Sequence, residues 1–109
     1  MKKKETIKSK EEFTKIFTKG IKIKSQYCNI FYNEREDKLN YYGLAISKSY
    51  GRAVDRNKIK RIYRNIIDSN KFLFPKGKNY IIMIKKESLG VPYKTLNDNI
   101  NTLLEKGLK

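Results

Sequence analysis

The chain has 109 residues, which suits one domain with a modest core. It carries 26 Lys and Arg against 11 Asp and Glu, a formal net charge of +15. Self-repulsion on that scale calls for a polyanion, and nucleic acid fits better than a surface made basic by lysine-biased composition. With one Cys and no His, the chain can form no intrachain disulfide and has no imidazole for acid–base or metal chemistry. It also lacks the run of about 18 apolar residues that a transmembrane helix needs.

Met1-Lys2-Lys3-Lys4 is basic, but no apolar segment follows, so it does not read as a secretory signal. We expect a short disordered basic tail over about residues 1–7, a single domain over 1–109 and a cytoplasmic location. Ser9 with Glu12 forms a capping-box pattern, and Phe13, Ile16 and Phe17 share one helical face. The first helix is therefore expected from Ser9 to Thr18, with Gly20 as its stop. Residues Ile21 to Tyr32 have strand character, with room for one break. A polar turn follows at Glu34–Lys38, and Asn40–Ser47 reads as a strand returning to pair as a hairpin. Cys28, inside the alternating run, is expected to be a small buried hydrophobe.

A basic loop, Lys48–Val54, leads into a helix from about Asp55 to Ser69, with Ile59, Ile62, Tyr63, Ile66 and Ile67 on its core side. Phe74–Lys78 is a turn. The continuous apolar run Tyr80–Ile84 predicts a strand buried on both faces. After Pro92 a last helix carries Tyr93, Leu96, Ile100, Leu103 and Leu104 as one stripe. The fold class is α+β: a small, mostly antiparallel sheet of about four strands with three helices, in the order α-β-β-β-α-β-α. One sheet face, or a groove between sheet and helix, is left for a partner.

The segment Arg56–Arg64 carries the clearest chemistry. On a helical wheel starting at Arg56, the residues Arg56, Lys60, Arg64, Asn57 and Arg61 fall between about 0° and 140°, with Lys58 on the flank. The apolar residues fall on the other side. A face stabilised by ion pairs would interleave acids four residues away, and this stretch has none. Arg binds phosphate bidentately, Lys acts as a point charge, and Asn57 adds an amide for a base edge or a 2′-hydroxyl. Asp55, the one nearby acid, sits where an N-cap is wanted.

These residues carry a family resemblance. Gly43-Leu44-Ala45-Ile46-Ser47-Lys48, followed by Gly51-Arg52-Ala53-Val54-Asp55-Arg56-Asn57-Lys58-Ile59-Lys60-Arg61, resembles the signature of bacterial ribonuclease P proteins. The likeness extends over nearly the whole chain, including Phe13, Phe17 and Gly20. It departs at Lys58, where Arg is typical, and at Ser49, where a second Lys is common.

The resemblance implies a protein subunit that binds a catalytic RNA and the 5′ leader of precursor tRNA, and so promotes removal of the leader. The endoribonuclease chemistry would belong to the RNA, with Mg²⁺ bound mainly by the RNA and substrate. No catalytic residue, metal ligand, membrane or protein partner is required of this chain. The implied RNA contacts are Arg56, Asn57, Lys58, Lys60, Arg61, Arg64, Lys48 and Arg52. The implied leader cleft has Phe13, Phe17, Phe31, Lys48 and Ala53. A left-handed β-α-β crossover is also implied. Helical spacing alone places Phe13 and Phe17 in the core, whereas the resemblance exposes at least one of them in the cleft.

Three other functions compete: a structural RNA-binding protein of ribosomal type, a DNA-binding regulator, and a nuclease acting without RNA. The second would need another helix just upstream of the basic one, where the pattern reads as strand. The third would need converging carboxylates, and the acids are dispersed along the chain.

Overall fold

The computed structural model describes residues 3–107. The elements are α1 (Lys10–Lys19), β1 (Ile21–Ile23), β2 (Cys28–Glu34), β3 (Tyr41–Ile46), α2 (Ala53–Ser69), β4 (Lys78–Ile84) and α3 (Tyr93–Gly107). This is the expected α+β order, with short 3₁₀ turns at Lys3–Glu5, Lys71–Leu73 and Lys86–Ser88. The expected break in the first strand region falls between β1 and β2, which pair antiparallel.

The sheet order is β1-β2-β4-β3. The hairpin expected between the second and third strands does not form. Instead, β4 lies between them, antiparallel to β2 and parallel to β3. The physical reason is the composition of β4. Tyr80, Ile81, Ile82 and Ile84 are all buried, so the strand needs cover on both faces and a neighbour on each edge. β1 and β3 take the edges, and α2 serves as the crossover from β3 to β4.

Each strand alternates its side chains between two separate cores. On one face Ile30, Tyr42, Tyr80, Ile82 and Ile84 meet Ile59, Tyr63, Ile66 and Ile67 of α2 and the Leu96–Leu104 stripe of α3. Ile62, expected in that core, is half-buried at its margin. Tyr93, expected on the α3 stripe, remains 42% exposed, because the helix begins there, beyond the sheet. On the other face Phe31 and Ile81 meet Ile16 of α1 and Ile7.

Two local expectations change, and the stop at Gly20 is borne out. Residues 1 and 2 of the expected disordered tail lie outside the described residues, and from Lys3 onward the tail has structure. The Ile7 amide donates to Tyr42 O at 2.9 Å, Thr6 bridges Tyr42 in parallel, and Ile7 is buried. An isoleucine that can cover the second core outweighs the lysines around it. Asp55 is not the N-cap of α2. Arg52 takes that position, and the Asp55 carboxylate, three residues in, accepts from the Arg52 amide at 3.1 Å. Gly20 does end α1, but with φ −76°. It is glycine for want of space: a Cβ there would lie 2.4 Å from Ile16 O and 2.8 Å from Tyr32 O.

Candidate nucleic-acid interface

Two surfaces predicted from the sequence come together across the edge strand β3. The first is the outer face of α2. Asn57, Lys58, Arg61 and Arg64 are exposed, while Arg56 and Lys60 are half-buried. Among the described residues, no ion pair engages any cation from Arg52 to Arg64. Among the described residues, the Arg56 guanidinium makes one polar contact, a long one, 3.4 Å to Gly51 O. Asp55 faces back to the helix start, where its charge also suits the positive end of the helix dipole. Among the described residues, the helix therefore holds six cationic or amide side chains outside any ion pair, Arg56 alone bonding a backbone carbonyl, spaced about 6 Å apart along each i, i+4 row.

The second surface is the sheet face that α1 half covers. Register fixes its rows. Gly43, Ile81 and Phe31 stand side by side across β3, β4 and β2. The Phe13 ring lies on Gly43, where a Cβ would come within 2.6 Å of its Cζ. Phe17 meets Phe31 edge-on, with ring centroids 4.6 Å apart, and lies 6.0 Å from Phe13. Phe31 is 8% exposed and forms the floor, with Lys22 Nζ 5.4 Å from its ring centroid. Phe13 and Phe17 are half-buried. Both views of these two rings therefore hold: they pack on the second core and keep an open side.

The next row towards the C-terminal end of β3 is Ala45, Met83 and Asn29, all half-buried. The sequence alone did not single out these three as candidates. Their signal was the two-residue alternation, but only the strand order brings them into one row. Lys48 follows β3 at this end and is exposed. Beside it, the Ser49 hydroxyl lies 2.8 Å from that of Ser47, and the Ser49 amide donates to Ser47 Oγ at 3.3 Å. The residue that departs from the family pattern thus shapes the turn that presents Lys48. Ala53 opens α2 and is exposed. Arg52 is also exposed at the helix start.

A shallow groove of about 250 Å³ joins the two surfaces, lined by Thr6, Phe13, Gly43, Leu44, Lys60 and Arg64. The i, i+4 pair Lys60 and Arg64 thus borders the same space as the α1 ring. Cations beside accessible aromatic faces can hold a single strand by its phosphates and its bases together.

The acids lie elsewhere. Glu12, Glu34, Glu36 and Asp37 surround a second depression at the β2–β3 turn. Asp37 is bound by the Arg35 guanidinium through two 2.8 Å contacts, which lower its pKa, and Glu34 pairs with Lys78. Arg35 also stacks 4.0 Å over Tyr41. Cys28 is fully buried, and burial pushes its thiol up to about 11, so it is no nucleophile at neutral pH.

Comparison with known proteins shows the family and the fold. The family model described as Ribonuclease P matches residues 1–107. The chain is 33% identical over 111 residues to the ribonuclease P protein component of Bacillus cereus strain AH187, covering all of this chain and 96% of that protein. It is likewise 33% identical to that of Bacillus anthracis strain A0248, covering 93% of it. Among solved structures, the RNase P protein from Thermotoga maritima superposes with a TM-score of 0.85 at 24% identity, covering 94% of this chain and 96% of that one. The Staphylococcus aureus RNase P protein gives 0.83 at 24% identity, with 93% of each chain covered. At those identities the two structures show the shared fold.

Proposed function

Because the chain belongs to the ribonuclease P protein family, as a protein component of that ribonucleoprotein, we propose that its α2 face binds the ribonuclease P RNA and its ring-lined cleft binds the 5′ leader of precursor tRNA. The observation that carries this reading is the run of unpaired cations on α2 beside a groove that leads to Phe13. Arg56, Asn57, Lys58, Lys60, Arg61 and Arg64 contact the RNA backbone, with Arg52 at the helix start. The leader strand lies along Phe13 and Phe17 over Phe31 and the Ala45–Met83–Asn29 row, and its phosphates turn towards Lys48. Bases stack on the half-open rings while cations follow the backbone.

Catalysis is assigned to the RNA. The chain has no His. Its carboxylates also make a poor cradle for Mg²⁺: among the described residues no three His, Cys, Asp or Glu converge, and Glu34 and Asp37 are held by cations. Mg²⁺ is therefore assigned to the RNA and substrate phosphates. What the protein supplies is positive charge and a shaped strand site, so its effect is greatest where Mg²⁺ is scarce. Among the described residues, no helix is long and apolar enough to cross a membrane. We place the complex in the cytoplasm.

Reconstitution tests the reading. The protein is added to a bacterial ribonuclease P RNA and a precursor tRNA with a 5′ leader, at low Mg²⁺. Cleavage at the mature 5′ end should rise sharply, and the double variant Arg56→Ala, Arg61→Ala should lose most of the gain. RNA binding without any rise in cleavage would replace this reading with a structural RNA-binding role.

A further inference from the structure

On the side of α2 away from Lys60 and Arg64, the structure holds a larger groove, of about 490 Å³. It runs between α2 and the loop that joins β4 to α3. Ile59 and Ile62 form one wall, Leu89, Val91 and Tyr93 the other. Its floor is rigid: Tyr50 and Ser88 are fully buried, their hydroxyls 3.0 Å apart, and Ser88 Oγ also donates to Lys85 O at 2.8 Å. The wall is open to solvent, with Leu89 53% and Tyr93 42% exposed. An apolar slot with one accessible aromatic ring is unusual on so charged a surface.

The rim carries both signs, with Lys58 and Asp55 each lining the groove. Exposed Lys86 and Lys94 flank it in sequence. Among the described residues, Lys58 and Lys86 have no ion-pair partner, and Lys94 has only Asp98 at 4.0 Å. Of the acids, Asp55 lines the groove and accepts from the Arg52 amide, and Glu87 pairs with Lys85 at 3.7 Å. Lys58 also stands next to Arg61 on the wheel, so it continues the cationic face of α2 around the helix. The partner that matches is a polyanion with a flat apolar part.

We infer that this groove takes an unpaired nucleobase of the RNA subunit, stacked on Tyr93, with the adjoining phosphates at Lys58 and Lys86. Helix α2 is then gripped on both flanks, by backbone contacts along Arg56–Arg64 and by one inserted base at the α3 start. The inference rests on α2 being the RNA face. A base stacked on an aromatic ring contributes affinity without adding a phosphate contact, so its loss changes binding strength and leaves the salt dependence alone.

The experiment measures equilibrium binding of the full chain to a bacterial ribonuclease P RNA across a range of salt concentrations. Tyr93→Ala should weaken binding roughly tenfold with an unchanged salt slope. Tyr93→Phe should bind as the parent does, and Tyr93→Leu, apolar but without a π face, should fall with Tyr93→Ala. Lys58→Ala should reduce the salt slope by about one. A thermal melt of each variant checks that α3 still packs. Parent-like binding by Tyr93→Ala, with Arg56→Ala, Arg61→Ala still weakened, overturns the base site and leaves the α2 reading intact. Full recovery in Tyr93→Leu also overturns it, in favour of an apolar docking site for a protein. If the Arg variants bind like the parent, the α2 reading fails and this inference fails with it.

Discussion

Gly43 shows how a single residue sets the site. It lies mid-strand in β3 and is buried, and the Phe13 ring occupies the space a Cβ would need. Gly43→Ala should push that ring off the sheet, lowering stability by about 1–3 kcal/mol as overpacked sites do. Urea denaturation would read the loss, and a parent-like midpoint would mean that Phe13 is free to move. Cys28 illustrates burial acting through protonation. Its pKa rises from 9.0 to about 11 because burial disfavours the thiolate. The folded state therefore holds the thiol proton more tightly than the unfolded chain does. That contribution is complete below pH 9 and is lost as pH rises towards 11. Over that window, about 2–3 kcal/mol should disappear, with buried Tyr63 and Tyr80, also shifted upward, adding to the fall. Denaturation midpoints at neutral and alkaline pH, with Cys28→Ala as the control, would check this.

At the scale of elements, α2 carries opposed demands on its two sides. One side holds Ile59, Tyr63, Ile66 and Ile67 in the main core. The other concentrates like charges that repel each other at i, i+4, which weakens the helix when no anion is present. The Asp55 contact to the Arg52 amide is the main compensation at its start. Asp55→Ala should therefore cost about 1 kcal/mol of stability. Arg56→Ala with Arg61→Ala should do the reverse, raising the melting temperature at low salt while weakening RNA binding. Loss of both stability and binding in the Arg pair would show that these side chains also hold the fold. Helix α1 has a different task. Ile16 anchors it, and the flanking Phe13 and Phe17 are left part open because the helix covers only the Gly43–Ile81–Phe31 row.

At the scale of the whole molecule, the charge of +15 is spread unevenly. Glu12, Glu34, Glu36 and Asp37 gather at the β2–β3 turn, whereas the cations of α2 and Lys48 lie on the surfaces assigned to RNA. Such a distribution orients the protein in the field of a polyanion before contact is made. The same repulsion opposes folding of the free chain, so an anion that binds only the folded state should stabilise it. Millimolar sulfate should raise the melting temperature by several degrees. An equal rise in chloride of matched ionic strength would mean simple screening rather than binding.

The sequence by itself determined the elements, the cation-bearing face of α2 and the family. Each of these is written in local spacing: a helix repeats every 3.6 residues and a strand every two, so a face can be read within one segment. Strand order was not legible, because an alternating strand specifies which face is buried but not which strand lies beside it. The two-sided burial of Tyr80–Ile84 was legible in its apolar run, but only the tertiary structure shows that β2 and β3 are the strands that flank it. That placement sets Ala45, Met83 and Asn29 in one row and brings Lys60 and Arg64 to the groove beside Phe13. It also leaves Tyr93 at the edge of the core rather than within it. Each of these depends on contacts between segments far apart in the chain, and helix or strand periodicity carries no record of them.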